Sequence, residues 1–582
     1  MNKLLALGLL TSSIGFTQEL PRIVSHAELS EYLEYQTNGA VKGITESYLN
    51  FRIDHKKNIA TPILPVSNPD LIHSLFETDV YQYIRNEGAK DFLSAKKAYY
   101  SRQNFNQRTQ QYSREYVYPS DWHSLNHNPI RNINLPSHVY GEHFQPLSAK
   151  AIMDSPFVKP DFQRRLDEIT NSEMTAGNKM KLLSNGEFSL AEKVRMVKES
   201  KKFFHSIVMV QYCDASNSEI INAMISKAKA GVDVRLITEG VWTKLVLKKC
   251  LKKLRNGGVK VTLGKGFFNP KTMFTVHHTK FWIRDGEEAI VGGQNMHDVE
   301  NFSNGFNEHS RDKDVHVTGP AVTDFQKEYI KIWSEQNKKD KSIFQYNKLV
   351  EQKMIQERAQ GLRGKHLYET WLDKDSPEEI SGVCRVLIQG TKITSNPAII
   401  AKAYIEIMKN VKHSMIINTP TFSYKENPKN AYDNSQIIRA IVSAADRGVN
   451  VDLITNGVDG GMGEAEHQIR NLENKLRLNG QKTLATVLDG IGNIIKIFTS
   501  KSQRKSLLKA LSGTEVSSWT YFNHIHSKQM SFDHIYTSTG SFNLDSHSYK
   551  NHESTMLCLD KKLADESLRA FISDIVNSTP VI

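Results

Sequence analysis

The sequence predicts an α/β protein made of two pseudo-symmetric lobes, each a mixed or parallel β-sheet flanked by helices. Three observations carry this. First, a strand–helix–strand pattern occurs twice: "SIVMVQYCDASNSEIINAMISKAKAGVDVRLIT" runs from Ser206 to Thr238, and "SMIINTPTFSYK" starts at Ser414 with "NSQIIRAIVSAADRGVNVDLIT" ending at Thr455. Second, each copy is followed by a His-Lys-Asp stretch, "HHTKFWIRDGEEAIVGGQN" from His277 and "HIHSKQMSFDHIYTSTGSFN" from His524. Third, the 582 residues are 39% hydrophobic and 24% charged. That balance suits a globular chain with a core and excludes a disordered, collagen-like or membrane-spanning one.

Taken in order, "MNKLLALGLLTSSIGFTQEL" places Lys3 before an apolar run from Leu4 to Leu10. The run is shorter than the ~20 residues a bilayer span needs, so residues 1–17 read as a secretory signal and the chain is expected to be exported, to the periplasm or beyond. Residues 18–174 match neither repeat and receive no function; His123, His127, His138 and His143 within them lack metal-ligand spacing. The first lobe is placed at 175–345, a charged helical connector at 346–380, and the second lobe at 381–582. In each lobe an apolar run, a loop, an amphipathic helix, a glycine turn (Gly231, Gly448) and a second apolar run predict a right-handed βαβ crossover. "KLVLKKCLKKLRNGG", from Lys244, reads as a basic amphipathic helix, and residues 465–515 as an insertion before the second motif. Cys213, Cys250, Cys384 and Cys558 form no C-x-x-C pair, which argues against a zinc ribbon or redox motif. They are expected as buried thiols, with one disulfide open to an exported chain.

The spacing of the repeated stretch has a physical meaning. Residues two apart on a strand share a face, so His278 and Lys280 point together, as do His526 and Lys528. Asp285-Gly286 signals a two-residue hairpin turn. Symmetric pairing about that turn would set His278 opposite Gly293 with Asn295 diagonal to it, and His526 opposite Ser541 with Asn543 diagonal. Imidazole, ammonium and amide around an open glycine or serine floor form a candidate phosphate site. Asp285 and Asp533 lie about 20 Å along the strand from their histidines, and so read mainly as turn and ion-pair residues. The carboxylate that orients each histidine must come from elsewhere; Asp314 in "RDKDVHVTG" and Glu553 in "KNHESTMLCL" are the candidates. One such match arises by chance with a probability of roughly 10⁻⁵ to 10⁻⁴. Two, at matching places in a repeat, point to one shared chemistry.

At these residues the chain resembles the phospholipase D superfamily, whose signature H-x-K-x4-D-x6-G-[GS]-x-N is met at His278–Asn295 and again at His526–Asn543. Within it the chain looks most like bacterial cardiolipin synthases. "VGGQNMHD", "RDKDVHVTGPAV", "INTPTF", "AADRGVNVDLIT" and "GSFNLD" resemble segments of that group, with Thr421 where the group has Tyr and His547 where it has Arg. The resemblance implies one active site shared by both lobes. His278, Lys280 and Asp285 with His526, Lys528 and Asp533 would form the catalytic set, and Asn295, Asn543, Gly293 and Ser541 would surround the phosphate. It implies a phosphohistidine intermediate, with His278 as nucleophile and His526 as acid, and neither metal nor cofactor. A phospholipid is the implied substrate, with peripheral membrane contact, and a monomer suffices because both motifs lie in one chain. The net charge of +12 fits anionic partners, and a nuclease of the same chemistry is the alternative. A non-catalytic lipid-binding derivative would be expected to have lost a His or Lys, and none is lost.

Overall fold

The computed structural model describes residues 22–25, 50–54, 59–62 and most of 147–580; residues 241–246, 265–275, 302–309, 391–397, 423–434, 456–515 and a few single positions are not described. The signal-like segment, the four loosely spaced histidines and the 465–515 insertion therefore fall outside the described residues. Arg22–Ser25, Asn50–Asp54 and Ile59–Pro62 pair as a small antiparallel sheet.

The first lobe contributes seven strands to one sheet: β1 Lys179–Leu183, β2 Phe203–Val208, β3 Asp233–Glu239, β4 Lys260–Gly264, β5 Phe281–Arg284, β6 Glu288–Gly292 and β7 Asp314–Thr318. The second contributes β8 Val383–Gln389, β9 Ser414–Asn418, β10 Asn450–Thr455, β11 Val516–Tyr521, β12 Gln529–Phe532, β13 Tyr536–Gly540 and β14 Glu553–Leu559. The first sheet runs β1-β7-β6-β5-β2-β3-β4, and the second repeats that order as β8-β14-β13-β12-β9-β10-β11. The repeat read from the sequence is thus a repeat of topology, strand for strand.

The helices are α1 Pro160–Thr170, α2 Gly186–Glu199, α3 Ser218–Lys229, α4 Lys248–Asn256, α5 Asp298–Asn301, α6 Pro320–Gln336, α7 Asn347–Ala359, α8 Ile399–Asn410, α9 Ser435–Asp446 and α10 Lys561–Val576. α3 joins the parallel pair β2/β3, and α9 joins β9/β10. Gly231 (φ +90°) and Gly448 (φ +85°) end these helices with open space where a Cβ would stand, so left-handed backbone rather than crowding selects glycine there. α4 buries Cys250, Leu251 and Leu254 and leaves its lysines exposed, as its amphipathic pattern predicts. α7 lies in the helix-prone connector.

The hairpin register differs from the expected one. Glu288 lies opposite Arg284, and Tyr536 opposite Phe532, so three residues rather than two form each loop. The reason lies in the turn chemistry. Asp285 (φ +52°) and Gly286 (φ +69°) are both left-handed, and Glu287 N–H closes on Arg284 O at 2.9 Å, leaving Glu287 outside the ladder. Asp533 and His534 repeat this geometry, with φ of +49° and +52°. A one-residue slip changes every cross-strand partner, so the predicted pairings of His278 with Gly293 and of His526 with Ser541 are replaced. The histidines also precede β5 and β12 instead of standing within them.

Asp285 and Asp533 take the turn role but not an ionic one. Asp285 accepts the backbone N–H groups of Lys201, Lys202 and Phe203 at 2.7–2.8 Å, anchoring the hairpin to the start of β2. Asp533 accepts those of Lys412, His413 and Ser414 ahead of β9, plus the Ser155 hydroxyl at 2.8 Å. Neither pairs with a cation among the described residues, because a carboxylate so placed is already saturated by N–H donors.

Residues 149–174, which the sequence leaves outside both lobes, belong with the second lobe, and so does Thr175, which it assigns to the first. Phe157, Phe162 and Leu166 pack in a core with Tyr404, Phe532 and Tyr536, and Met174–Thr175 adds a short strand beside β8. A second core crosses the lobe boundary: Met556 and Leu563 pack with Phe281, Val315, Val322 and Phe325. The cysteines correct the expectation of thiols. Cys213–Cys250 and Cys384–Cys558 are both disulfides, the latter between directly opposite residues of β8 and β14, and no described cysteine is free.

Asp533→Ala strips a buried acceptor from three N–H groups and a hydroxyl. Denaturant melts should report a loss of about 3 kcal/mol, since leaving buried donors unsatisfied costs ~1–3 kcal/mol and more for charge-assisted bonds. An unchanged midpoint would rule out the anchoring role.

Candidate active site

Two short parallel strand contacts between the lobes build the site. His277 bridges to His552; His278 N–H donates to His552 O at 3.0 Å, and His552 N–H donates to Val276 O at 3.1 Å. Ser310–Arg311 pairs in parallel with His524–Ile525, and His526 N–H donates to Arg311 O at 2.7 Å. Chains leaving a parallel contact advance together, so the next residue on one lobe meets the next residue on the other. In this way His278 comes to Glu553, with Nδ1 2.9 Å from Oε2, and His526 comes to Asp312, with Nδ1 2.8 Å from Oδ2. Each histidine is held by a carboxylate of the opposite lobe.

Glu553 is one of the two expected orienting carboxylates. Asp314 is not the other. It is buried against Lys193 at 2.9 Å and Ser189 at 2.5 Å, tying α2 to β7, and Asp312, two residues earlier, takes the predicted role. The sheet register explains the miss. Gly292 faces Asp314 while its counterpart Gly540 faces Thr555, which makes Asp312 the equivalent of Glu553. That signal was present in "RDKD" but needed the correct register to be read.

The lysines repeat the symmetry. Lys280 Nζ donates to His278 O at 2.7 Å, and Lys528 Nζ to His526 O at 2.5 Å. Gly293 and Ser541 occupy equivalent places, but beside the carboxylates and not as a floor opposite the histidines. Ser541 Oγ donates to Glu553 Oε2 at 2.5 Å, and Asn551 Nδ2 reaches Oε1 at 3.4 Å. A Cβ on Gly293 would stand 2.7 Å from Asp312 Oδ1 and 3.0 Å from His526 O, so this close approach requires glycine.

Asn295 and Asn543 hold equivalent places after their hairpins. Asn295 Nδ2 donates to Glu300 Oε1 at 3.0 Å, and Asn543 N–H donates to Ser548 Oγ at 3.0 Å. The Oδ1 atoms of both are buried without a hydrogen-bond partner among the described residues. Glu300, on α5, is a site residue that no sequence signal marked. Its Oε2 lies 3.5 Å from His526 Nδ1, and its Oε1 meets His297 Nε2 at 3.0 Å. Glu300, Asp312 and His526 converge within 4.8 Å as a buried set joined by hydrogen bonds to one another and to Asn295.

Burial dominates the electrostatics. It lowers His278 against the opposing pull of Glu553, and it drives His526 well below the usual imidazole range against Glu300. It also pushes Asp312 up to about 8, with Asp314 and Glu300 adding to the rise and Lys528 resisting it. Both imidazoles are therefore lowered, and the His526–Asp312 pair keeps a proton near neutrality through the raised Asp312 carboxyl. Lys280 falls to about 7, first by burial and then by the charge of Lys528.

A duplicated sheet topology with two histidines, each fixed from the opposite lobe and backed by a lysine two residues on, defines a two-lobed phospholipase D-type protein. A family profile described as "Cardiolipin synthase, PLD-like domain" matches residues 194–333 and 404–575, more than half of the chain, and the protein belongs to that family within the phospholipase D superfamily. It is 26% identical to cardiolipin synthase 1 of Bacillus cereus over 156 residues, 26% of this chain and 31% of that one. It is 24% identical to the cardiolipin synthase of Clostridium perfringens over 290 residues, 49% of this chain and 54% of that one. The matches thus span from under a third to just over half of these relatives' own lengths. Among solved structures, phosphatidylserine synthase from Haemophilus influenzae aligns with 72% of this chain and 91% of its own, at 13% identity and a TM-score of 0.47.

Gly293→Ala should fold yet lose about 100-fold or more in turnover, because an ångström of displacement at a catalytic group costs on that order. Near-parental turnover in a lipid assay would show that Asp312 and His526 tolerate the methyl.

Proposed function

We propose that this protein transfers phosphatidyl groups between alcohols, with a phospholipid as donor, by two successive displacements at phosphorus. The observation that carries the reading is the pair of His–carboxylate contacts made across the lobe boundary, at 2.9 and 2.8 Å. Each commits Nδ1 to a carboxylate, which leaves Nε2 as the nitrogen for chemistry. The relatives named as cardiolipin synthases supply the lipid class.

The electrostatic asymmetry divides the roles. His278, neutral, attacks phosphorus through Nε2 and forms a P–N bond. The P–O bond to the first alcohol breaks, and His526 gives that oxygen its proton. A second alcohol then gives a proton to His526, attacks phosphorus, and breaks the P–N bond, restoring both imidazoles. Water in place of the second alcohol makes the same site hydrolytic. Lys280, Lys528, Asn295 and Asn543 stabilise charge on the phosphoryl oxygens. An anionic phosphate beside Lys280 favours its charged form, offsetting the burial that lowers it.

One chain supplies both halves of the site, so a monomer suffices. The net charge of +12 favours contact with an anionic bilayer surface. Export is part of the proposal. Two disulfides without a free described cysteine, together with the signal-like residues 1–17, favour an oxidising compartment.

The first experiment incubates the protein with phosphatidylglycerol vesicles with and without ethanol and resolves the products. Phosphatidylethanol or a condensed lipid supports transfer, and phosphatidic acid alone would assign hydrolysis. Untouched lipid beside cleavage of plasmid DNA would replace the lipid reading with a nuclease. The roles are tested separately with a phosphatidyl ester of p-nitrophenol, whose leaving group needs no proton. His526→Ala should lose about 10²–10⁴-fold on ordinary phospholipid but far less on this ester, whereas His278→Ala should lose both. The rate should fall above pH about 8, as the His526–Asp312 pair gives up its proton. It should hold below pH 6.5, because the His278 imidazole is lowered from that value. A bell centred below 6.5 would reverse the assignment.

A further inference from the structure

The two histidines do not face equal charge. Among the described residues His278 has one carboxylate, Glu553, whose other hydrogen-bond partners are the neutral Ser541 and Asn551. His526 has two: Asp312 Oδ2 at 2.8 Å and Glu300 Oε2 at 3.5 Å from the same Nδ1. Glu300 comes from the lobe opposite His526, on the short helix α5 just after the first motif, and is buried. Its carboxylate is fixed: Oε1 accepts Asn295 Nδ2 and His297 Nε2, both at 3.0 Å, and Oε2 accepts the Asn295 backbone N–H.

We propose that Glu300 is a positioning residue for the acid step, a second acidic partner of His526 that ties this imidazole to Asn295 of the other motif and biases it toward the protonated form. This rests on the reading of His526 as the acid. Among the described residues, the groups that face His526 fall into two sets. Asp312 and Glu300 favour its charge, and Lys528, Lys280 and His278 oppose it. Asp312 in turn meets Lys528, Asp314 and Glu300, and the buried Lys193 senses both Asp312 and Glu300. Burial and three cationic or ionisable groups oppose that charge, and Glu300, 3.5 Å away, adds a second carboxylate to the one at hydrogen-bond distance. The same carboxylate holds Asn295 Nδ2, so the orientation of that amide is coupled to the protonation of His526. Among the described residues no such coupling is built at His278, and this makes the pseudo-symmetric site directional.

The test reads His526 directly, without lipid. In histidine-selectively labelled full-length protein, NMR titration of the imidazoles is compared between the parent, Glu300→Gln and Glu300→Asp, with His526→Asn used to assign the resonance. The alkaline limb of the kcat/KM–pH profile is measured alongside. In Glu300→Gln the His526 titration should fall by about one pH unit, a tenfold shift in its proton equilibrium, and the alkaline limb should move down with it while KM stays within about twofold. Glu300→Asp keeps the charge and should restore at least half of the shift; it also serves if the Gln variant does not fold. An unmoved His526 titration in a folded variant overturns the proposal, even if activity drops, because Glu300 would then act only as packing. A shifted titration in a protein whose parent shows no phosphatidyl transfer would support the coupling and refute the enzymatic reading instead.

Discussion

Everything at the candidate site depends on two parallel strand contacts, each only a residue or two long, that cross from one lobe to the other. Parallel chains advance in step, so a contact at His277 and His552 delivers His278 to Glu553, and one at Arg311 and Ile525 delivers His526 to Asp312. No side chain has to reach far, because the backbone sets both distances. The apolar core that runs through Phe281, Val315 and Met556 holds the lobes in the one arrangement where both contacts can form. Interior packing at close to crystal density makes such an arrangement stiff, which is what a site with tolerances well under an ångström requires.

The duplication gives the site its symmetry, and small departures take the symmetry away. Gly293 makes room beside Asp312, whereas Ser541 donates to Glu553. Asp312 is a shorter acid than Glu553. Glu300 stands near His526, and among the described residues His278 has no counterpart to it. Each change is a single side chain on a shared topology, and together they place a carboxyl raised to about 8 beside His526. A duplicated fold can therefore give two equivalent histidines different surroundings without a different backbone for each.

Much of this was legible in the sequence. The βαβ crossovers followed from apolar runs separated by an amphipathic helix and a glycine turn, because those patterns depend on local periodicity. The six motif residues followed from spacing, and Glu553 from its place on the next strand. What could not be read were quantities set by turns and by distant chain. Asp285-Gly286 looked like a two-residue loop, and its third residue shifted the register, which concealed the roles of Gly293 and Ser541 and made Asp314 look like the orienting acid in place of Asp312. Glu300 stood among ordinary helix residues, and its importance arises only when the opposite lobe brings His526 to it. The two disulfides likewise join residues 37 and 174 positions apart, and such pairing leaves no local mark.

The crossed arrangement also has a consequence in time. His278 lies 275 residues ahead of the carboxylate that orients it, and β14, which that carboxylate opens, is the last strand of the second sheet's seven-strand repeat to be synthesised. A growing chain can complete the first sheet and expose the whole first motif long before Glu553 exists. Throughout that interval the His278 imidazole has no carboxylate to fix its tautomer. The pairing of His278 with Glu553 is therefore a late event, which waits for the last strand of the second repeat even though the first sheet can be complete long before.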